Sequence, residues 1–198
     1  GRRHDRLDAS KADAMGTLNA DERPPGLDRA HALEPNYYFG DATFELERQR
    51  IFAASWQMVA HRAELAEAGD HLLVNVAGTP VVLLRAADGV LRAFPNVCRH
   101  RAGPLVLCSG KGLGNLRCKY HGWLYNQEGQ LVAAPEMQEA MDFRIGDIRL
   151  PRFQVREWQG LVFVALADDV PDFDRVYAGI TERIAPVDLG AMQFVRRD

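Results

Sequence analysis

The sequence predicts a mainly β protein, built around an antiparallel β-domain of about 110 residues. Three runs rich in leucine and β-branched residues follow one another with turn-forming residues between them, at 71–76, 79–86 and 90–97. Two further strands are predicted on either side of a turn at Gln159-Gly160, and the run at 161–167 has the length of a buried strand. The hydrophobic fraction of 47% and the charged fraction of 26% are typical of an ordinary globular protein.

The regions outside the β-domain differ from it in composition and in the secondary structure that their sequence predicts. Residues 1–36 are rich in Asp, Arg, Ala and Pro without a sustained period, which predicts a mobile arm. A helical lead-in is predicted over 37–56, with a helix at about 41–54 that Asp41 caps and whose apolar positions are Phe44, Leu46, Ile51 and Phe52. The β-domain then occupies 57–167. Within 168–198, a helix is expected after Pro171, with Asp172 as its cap.

Composition excludes several classes of partner and location. The formal net charge of −3 gives no reason to expect nucleic acid. No apolar run approaches the roughly 18–20 residues needed to span a bilayer, so no membrane association is expected. Three cysteines are an odd number for a disulfide framework, and no signal peptide precedes them, so we expect reduced thiols and a cytoplasmic protein.

All three cysteines and two of the six histidines fall in one stretch, CRHRAGPLVLCSGKGLGNLRCKYHGW, at residues 98–123. Cys98 and His100 form a C-x-H pair, and Cys118 and His121 form a C-x2-H pair, with 17 residues between His100 and Cys118. Each pair fits a short turn that points one thiolate and one imidazole the same way. Two such turns brought together would supply a Cys₂His₂ set.

Two metal centres could use this set. A single zinc ion would take all four ligands in a tetrahedron, but structural zinc pairs usually place like ligands together in sequence. A [2Fe–2S] cluster would place the two thiolates on one iron and the two imidazoles on the other, so each loop has to carry one of each. The mixed pairs therefore favour the cluster over zinc.

The segments CRHRAG, CKYHGWLY and EGQLVAAP together resemble the Rieske iron–sulfur domain, over roughly residues 57–165. The resemblance implies an antiparallel β-sandwich or barrel with two cluster-binding loops. It assigns Cys98 and Cys118 to the inner iron, and His100 and His121 to the outer iron. The motifs HGW and CRHRAGP, with the helix before the first strand, look like the N-terminal domain of a Rieske non-haem iron oxygenase α subunit, a ring-hydroxylating oxygenase. The loop between the ligand pairs looks nearest to the choline monooxygenase branch.

The resemblance also gives roles to residues around the ligands. Gly122 matches the tight turn of the second loop, Pro135 falls in the loop that covers the cluster, and Tyr125 matches a tyrosine that donates to a ligand sulfur. Trp123 stands where high-potential relatives have a serine, and Tyr120 where they have a disulfide cysteine. The loss of this hydrogen-bond donor and the absence of this disulfide predict a reduction potential at the low end of the Rieske range, which is roughly −150 to +300 mV.

The resemblance further implies partners. A ferredoxin or a flavin-dependent reductase would supply electrons, and the intact protein would be a homotrimer in which electrons pass to the mononuclear iron of a neighbouring subunit. Five basic residues form a rim around the expected cluster, and they could steer an acidic donor: Arg99, Arg101, Lys111, Arg117 and Lys119.

One departure from the oxygenase pattern limits the expected activity. No histidine follows His121, so the two-histidine, one-carboxylate site for mononuclear Fe(II) cannot be built from the later residues. We therefore expect an electron-transfer part of an α subunit that does not oxygenate by itself, with 168–198 as the start of a catalytic domain. The alternative is a self-standing Rieske ferredoxin-type carrier.

Other residues in and near this stretch have simpler expected roles. Cys108 is expected to be a small buried hydrophobe, and His61 and His71 to be solvated. The segment SGKGLG at 109–114 lacks the first glycine and the final Ser or Thr of a phosphate loop, so it is interpreted as a flexible hairpin tip.

Overall fold

The computed structural model describes residues 32–137, 139–193 and 195–196. Its strands form three antiparallel sheets of three strands each, ordered β1-β9-β8, β2-β3-β4 and β5-β6-β7. This confirms the predicted mainly β, antiparallel class. The strand bounds are β1 (Gln57–His61), β2 (His71–Val76), β3 (Thr79–Arg85), β4 (Leu91–Pro95), β5 (Leu116–Arg117), β6 (Leu124–Tyr125), β7 (Leu131–Ala133), β8 (Gln154–Trp158) and β9 (Leu161–Ala165).

Strand β3 lies between two hydrophobic cores and contributes to both. Its four consecutive apolar residues, 81–84, are all fully buried. Because side chains alternate along a strand, Val82 and Leu84 enter one core, while Val81 and Leu83 enter the other. A continuous apolar run is the pattern expected of a strand that is covered on both faces.

The two cores connect the three sheets. The first core lies under the cysteine-rich loops and contains Val82, Leu84, Phe94, Cys98, Leu105, Val106, Leu116, Cys118, Trp123, Tyr125, Leu131 and Leu150. The second core joins the central sheet to β1 and β9, and contains Ala60, Leu65, Leu72, Val76, Val81, Leu83, Ala93, Val162 and Val164. The candidate ligands Cys98 and Cys118 are therefore part of a packed interior.

The turn between β8 and β9 is confirmed at the predicted position. Gln159 and Gly160 both have positive φ, at 50° and 81°. That pair of angles is the type I′ geometry, whose twist matches the flanking strands. A Cβ on Gly160 would lie 2.5 Å from the Cα of Gly190, so the position has no room for a side chain.

The helix predicted after Pro171 is confirmed, with Asp172 as its cap. Helix α3 (Phe173–Ile184) begins where the Asp172 side chain accepts a 2.8 Å hydrogen bond from the Arg175 backbone N–H. Its aromatic face packs on the β8–β9 sheet, with the Phe173 ring 5.1 Å from the Phe163 ring. Trp56 contributes to the same cluster and donates to the Pro171 carbonyl at 2.9 Å.

The helix predicted over 41–54 differs from the expectation. Its α-helical part, α2 (Asp41–Glu47), continues as a π-helical turn (Arg48–Phe52), and Gly40 rather than Asp41 holds the N-cap position. The side chain of Arg48 leaves the helix surface and donates to the Ala77 carbonyl at 2.7 Å. Phe44 and Ile51, expected as packing positions, are exposed.

The remaining helices are short. They comprise an α-helical turn, α1 (Asn36–Phe39), in the unit formed by residues 1–39, and 3₁₀ turns at Arg62–Leu65, Ile145–Asp147 and Leu189–Ala191 in the unit formed by residues 40–198. None of the described helices combines the length and apolar character needed to cross a bilayer. The predicted arm lies outside the described residues as far as residue 31.

The position of β3 gives a stability prediction. Leu83→Ala should lower the free energy of unfolding by about 2–5 kcal/mol, because it leaves a cavity in a fully buried site. The matched control is Leu107→Ala, because the Leu107 side chain is 63% exposed. This substitution should change the free energy of unfolding by no more than about 0.5 kcal/mol. Urea unfolding followed by circular dichroism measures both, and equal losses would contradict the two-core arrangement.

Candidate metal centre

The first ligand loop begins where β4 ends, and Asn96 closes it. The Asn96 side chain is buried, and its Oδ1 accepts from the backbone N–H groups of Leu105 and Val106 at 3.0 and 2.8 Å. Its Nδ2 donates to the Val106 carbonyl at 2.8 Å. One amide therefore holds both ends of the loop that carries Cys98 and His100.

Both ligand loops use the same backbone pattern. In the first, the Cys98 carbonyl accepts from Ala102 N–H at 3.0 Å, and the Cys98 N–H donates to the Gly103 carbonyl at 2.8 Å. In the second, the Cys118 carbonyl accepts from Gly122 N–H at 3.0 Å, and the Cys118 N–H donates to the Trp123 carbonyl at 2.9 Å. Each cysteine thus opens a turn of equal length, which makes the loops equivalent although their Cys–His spacings differ.

The fourth residue after each cysteine turns the chain with a positive φ. Gly122 has φ of 75°, which agrees with the tight turn predicted there, and Ala102 has φ of 55° in the first loop. A Cβ on Gly122 would meet only Pro135 at an ordinary 3.5 Å, so the backbone angle, not lack of space, favours glycine. The same contact places Pro135 against the second loop.

The loops touch each other at Gly103. A Cβ added there would lie 3.0 Å from the Tyr120 Cβ and 3.1 Å from the Cys118 Sγ. This close approach lets the second loop's thiol reach the first loop. The thiols of Cys98 and Cys118 are both buried, and the Cys118 thiol lies near enough to Cys98 to help raise the pKa of the Cys98 thiol.

Tyr125 connects the buried thiol pair to the core below. Its hydroxyl lies 3.3 Å from Cys98 Sγ and accepts the Arg99 backbone N–H at 3.1 Å. Burial, together with the Cys98 contact, raises the pKa of Tyr125 well above its usual range, so the hydroxyl keeps its proton. Since the Arg99 N–H occupies a lone pair of the Tyr125 oxygen, that proton is free to point at the sulfur.

The surroundings of Cys98 change the pKa of its thiol in opposite directions. Burial raises the pKa of the Cys98 thiol, while the Tyr125 hydroxyl and the His100 backbone N–H lower it by stabilising the thiolate. A metal bound at the sulfur would add the positive charge needed to hold the thiolate form.

The two candidate imidazoles lie together at the edge of the loops. The ring centroids of His100 and His121 are 4.7 Å apart. Each ring stacks on an aromatic neighbour: His100 on Trp123 at 4.8 Å, and His121 on Tyr120 at 3.9 Å. Trp123 is buried, whereas the Tyr120 ring is exposed, so solvent reaches the pair mainly from the Tyr120 side.

The environment of His100 favours a neutral ring. Burial lowers the pKa of His100, and the charges of His121 and Arg101 lower it further. The Nδ1 atom of His100 is buried without a hydrogen-bond partner in the described part of the chain. A neutral imidazole with an unused buried nitrogen is suited to bind a metal.

The structure therefore places the two thiols near each other in the core and the two imidazoles near each other at the edge of the loops, while no three His, Cys, Asp or Glu side chains of the described residues form a group that could hold a single metal ion. These pairs fit a [2Fe–2S] cluster, in which two thiolates and two imidazoles would hold different irons. The unpartnered nitrogen of His100 and the proximity of the two buried thiols are the observations that carry this fit.

Three expectations around the site are wrong. Cys108 is exposed, since it lies in the connection between the ligand loops and outside the core. His71 is 8% exposed, because its ring packs on Gly110 and its Nδ1 contacts the Gly69 carbonyl at 3.1 Å. His61 is half-buried, with Nε2 3.0 Å from the Leu189 carbonyl.

The 109–114 segment is fastened to β2 rather than free. Gly110 exchanges two 2.9 Å backbone hydrogen bonds with His71, and Ser109 Oγ accepts from the Leu73 N–H at 2.9 Å. These contacts hold the connection between the loops against the central sheet. Asn96, which holds the first loop, and Gly103, at which the two loops meet, are positions that the sequence analysis missed. In the sequence they are an ordinary polar residue and an ordinary glycine near Cys98, and nothing in the pattern marks them.

Comparison with known proteins gives consistent matches. Residues 55–155 match the Rieske [2Fe-2S] domain. The carnitine monooxygenase oxygenase subunit of Acinetobacter baumannii is 34% identical over 148 residues, which cover 75% of this chain and 40% of that protein. The biphenyl 2,3-dioxygenase subunit alpha of Rhodococcus jostii is 33% identical over 148 residues, covering 74% of this chain and 32% of that protein.

A solved structure agrees in fold. It is a quaternary ammonium Rieske monooxygenase, described for carnitine oxidation and inter-subunit electron transfer, with a TM-score of 0.72 and 34% identity over 76% of this chain and 41% of that one. The chain thus spans about two fifths of the length of the carnitine-oxidising proteins that it resembles. With its Rieske match over half of its length, the chain belongs to the Rieske [2Fe-2S] domain family.

Proposed function

We propose that this chain is the electron-transfer part of an oxygenase α subunit. The observation that carries the proposal is the pairing of two buried thiols and two neighbouring imidazoles on equivalent loops. Cys98 and Cys118 would bind the inner iron of a [2Fe–2S] cluster, and His100 and His121 the outer one. When bound, the cluster accepts and returns one electron, at a potential raised by its two neutral imidazole ligands.

The surrounding residues have separate tasks in this function. Tyr125 donates to Cys98 Sγ and so stabilises the extra negative charge of the reduced state. The core below the loops excludes water from the thiol side. On the other side, the half-buried imidazoles and the exposed Tyr120 ring form the edge at which electrons would enter or leave.

The oxygenase assignment takes its support from the relatives, which are oxygenase subunits rather than small ferredoxins. Their mononuclear iron would be bound by residues other than these 198, because no histidine follows His121. Residues 168–198 would begin that catalytic domain, and the chain by itself would not oxygenate a substrate. A homotrimer with electron transfer between subunits is part of the proposal, and the inter-subunit electron transfer described for the quaternary ammonium Rieske monooxygenase supports it.

We also propose that an acidic ferredoxin or flavin-dependent reductase docks at the basic rim formed by Arg99, Arg101, Lys111, Arg117 and Lys119. All five side chains are exposed. Within the described residues, Lys111 lies 3.8 Å from Asp70, and the other four have no carboxylate within ion-pairing distance. Uncompensated positive charge near the cluster would speed the approach of a negatively charged donor.

Ligand replacement tests the site. Cys118→Ser and His100→Ala should each abolish the rhombic Rieske signal in electron paramagnetic resonance of the reduced protein, because each removes a ligand to iron. The matched control is Cys108→Ser, at the exposed cysteine, which should keep the full signal. A wild-type protein with one equivalent of zinc and no iron signal would overturn the proposed function.

Removal of the Tyr125 hydroxyl should shift the potential. Tyr125→Phe should lower the midpoint potential by on the order of 20–60 mV, because one hydrogen bond to sulfur stabilises the reduced state. Tyr120→Phe keeps the ring that stacks on His121 and should leave the potential unchanged. A redox titration measures both variants; an unchanged or raised potential in Tyr125→Phe would contradict the assigned donor.

Charge reversal tests the docking surface. The pair Arg101→Glu and Lys119→Glu should slow reduction by an acidic [2Fe–2S] ferredoxin about tenfold or more at low ionic strength, and the difference should shrink as salt is added. The control pair, Arg175→Glu and Arg183→Glu, makes the same charge change on α3 and should alter the rate little. Stopped-flow absorbance gives the rates, and dithionite reduction checks that the cluster itself is unchanged. Equal slowing by both pairs would refute docking at the rim.

A further inference from the structure

We propose that the indole N–H of Trp123 donates a hydrogen bond to an inorganic sulfide of the cluster and thereby raises its reduction potential. The inference rests on the proposed function, since it requires the cluster between the two loops. It gives Trp123 a direct role in setting the potential of the redox couple, which the sequence does not indicate because tryptophan lacks the hydroxyl of the serine found in high-potential relatives.

Backbone and ring contacts fix where the Trp123 side chain lies. Its carbonyl closes the second loop by accepting the Cys118 N–H at 2.9 Å. Its ring stacks nearly parallel on His100, with 8° between the planes, and is only 3% exposed. The indole therefore lies against a candidate iron ligand and belongs to the same loop as another.

The indole nitrogen has no partner within the described part of the protein. Three buried side-chain nitrogens there lack a hydrogen bond: Arg92 Nε, His100 Nδ1 and Trp123 Nε1. Two of these three belong to the one stacked pair of rings beside the buried thiols. A buried polar nitrogen without a partner is costly, whether it carries a proton or a lone pair, so two such nitrogens in one place indicate a shared missing partner.

The chemistry of the two atoms identifies that partner. His100 Nδ1 offers a lone pair, which an iron can accept, whereas an indole N–H can only donate. A [2Fe–2S] cluster can satisfy both atoms, because its irons accept the lone pair of a ligand and its anionic sulfides accept hydrogen bonds. The Phe143 ring is the competing acceptor to be tested, because its centroid lies 5.7 Å from that of the Trp123 ring at a 56° tilt.

The test separates the N–H from the shape of the ring. In the iron-loaded chain, Trp123 is replaced by 3-benzothienylalanine, which keeps the bicyclic ring but has sulfur in place of N–H, and separately by the substitution Trp123→Phe. Both variants should favour the oxidised state roughly two- to tenfold at a fixed potential. A tenfold change corresponds to a midpoint lowered by 59 mV for one electron. Phe143→Leu alters packing around the indole without removing the donor and should keep the wild-type midpoint.

A spectroscopic readout accompanies the titration. Electron–nuclear double resonance of the reduced cluster in D₂O should detect an exchangeable deuteron that disappears in the benzothienylalanine variant. A benzothienylalanine variant with the wild-type midpoint and deuteron signal would overturn the inference. A Phe143→Leu shift as large as that of the benzothienylalanine variant would overturn it too, by making packing the cause. If either of these results is obtained while the Rieske signal is intact, the inference fails but the proposed function stands. If the iron-loaded wild-type chain shows no Rieske signal, the proposed function itself is refuted.

Discussion

The centre depends on the close approach of two loops at Gly103. Two thiols can lie in contact only if their loops meet without an intervening side chain, and a Cβ at Gly103 would lie 3.1 Å from Cys118 Sγ. The Asn96 amide and the repeated cysteine hydrogen bonds then keep each loop in shape. The fold below has to be rigid for this, and β3 supplies rigidity because both of its faces are buried in packed cores.

The same arrangement gives the site two unlike sides. On the thiol side, burial is nearly complete and the Tyr125 hydroxyl supplies the charge stabilisation that water would otherwise supply. On the imidazole side, His100 and His121 are only half-buried, and exposed basic residues neighbour both of them in the sequence. A charge placed on the cluster would thus be stabilised from within the protein, while the proposed exchange with a partner would take place at the outer edge.

Much of the fold and of the candidate site follows from local sequence patterns, and the remainder follows from contacts between distant segments. Strands, the Gln159-Gly160 turn and the Asp172 cap depend on neighbouring residues, so the sequence predicts them. The paired Cys and His motifs likewise lie within two short turns. The burial of His71 and the exposure of Cys108 depend on how the 109–114 segment packs on β2, which no local pattern specifies. The π-helical turn after α2 begins at Arg48, whose side chain donates to the Ala77 carbonyl, 29 residues away, and no local pattern indicates that contact.

Substrate chemistry has little influence on this part of the protein. A carnitine monooxygenase subunit and a biphenyl dioxygenase subunit have unlike substrates, yet each is about equally similar to the chain, at 34% and 33% identity over 148 residues. A feature that fits both similarities is the Rieske [2Fe-2S] domain, which this chain matches over residues 55–155. The buried loops, the glycine contact and the hydrogen bonds to sulfur serve that domain, because they hold a cluster and set its potential irrespective of what is oxidised elsewhere. The electron-transfer role therefore belongs to the Rieske domain that residues 55–155 match, and it is separate from the choice of substrate.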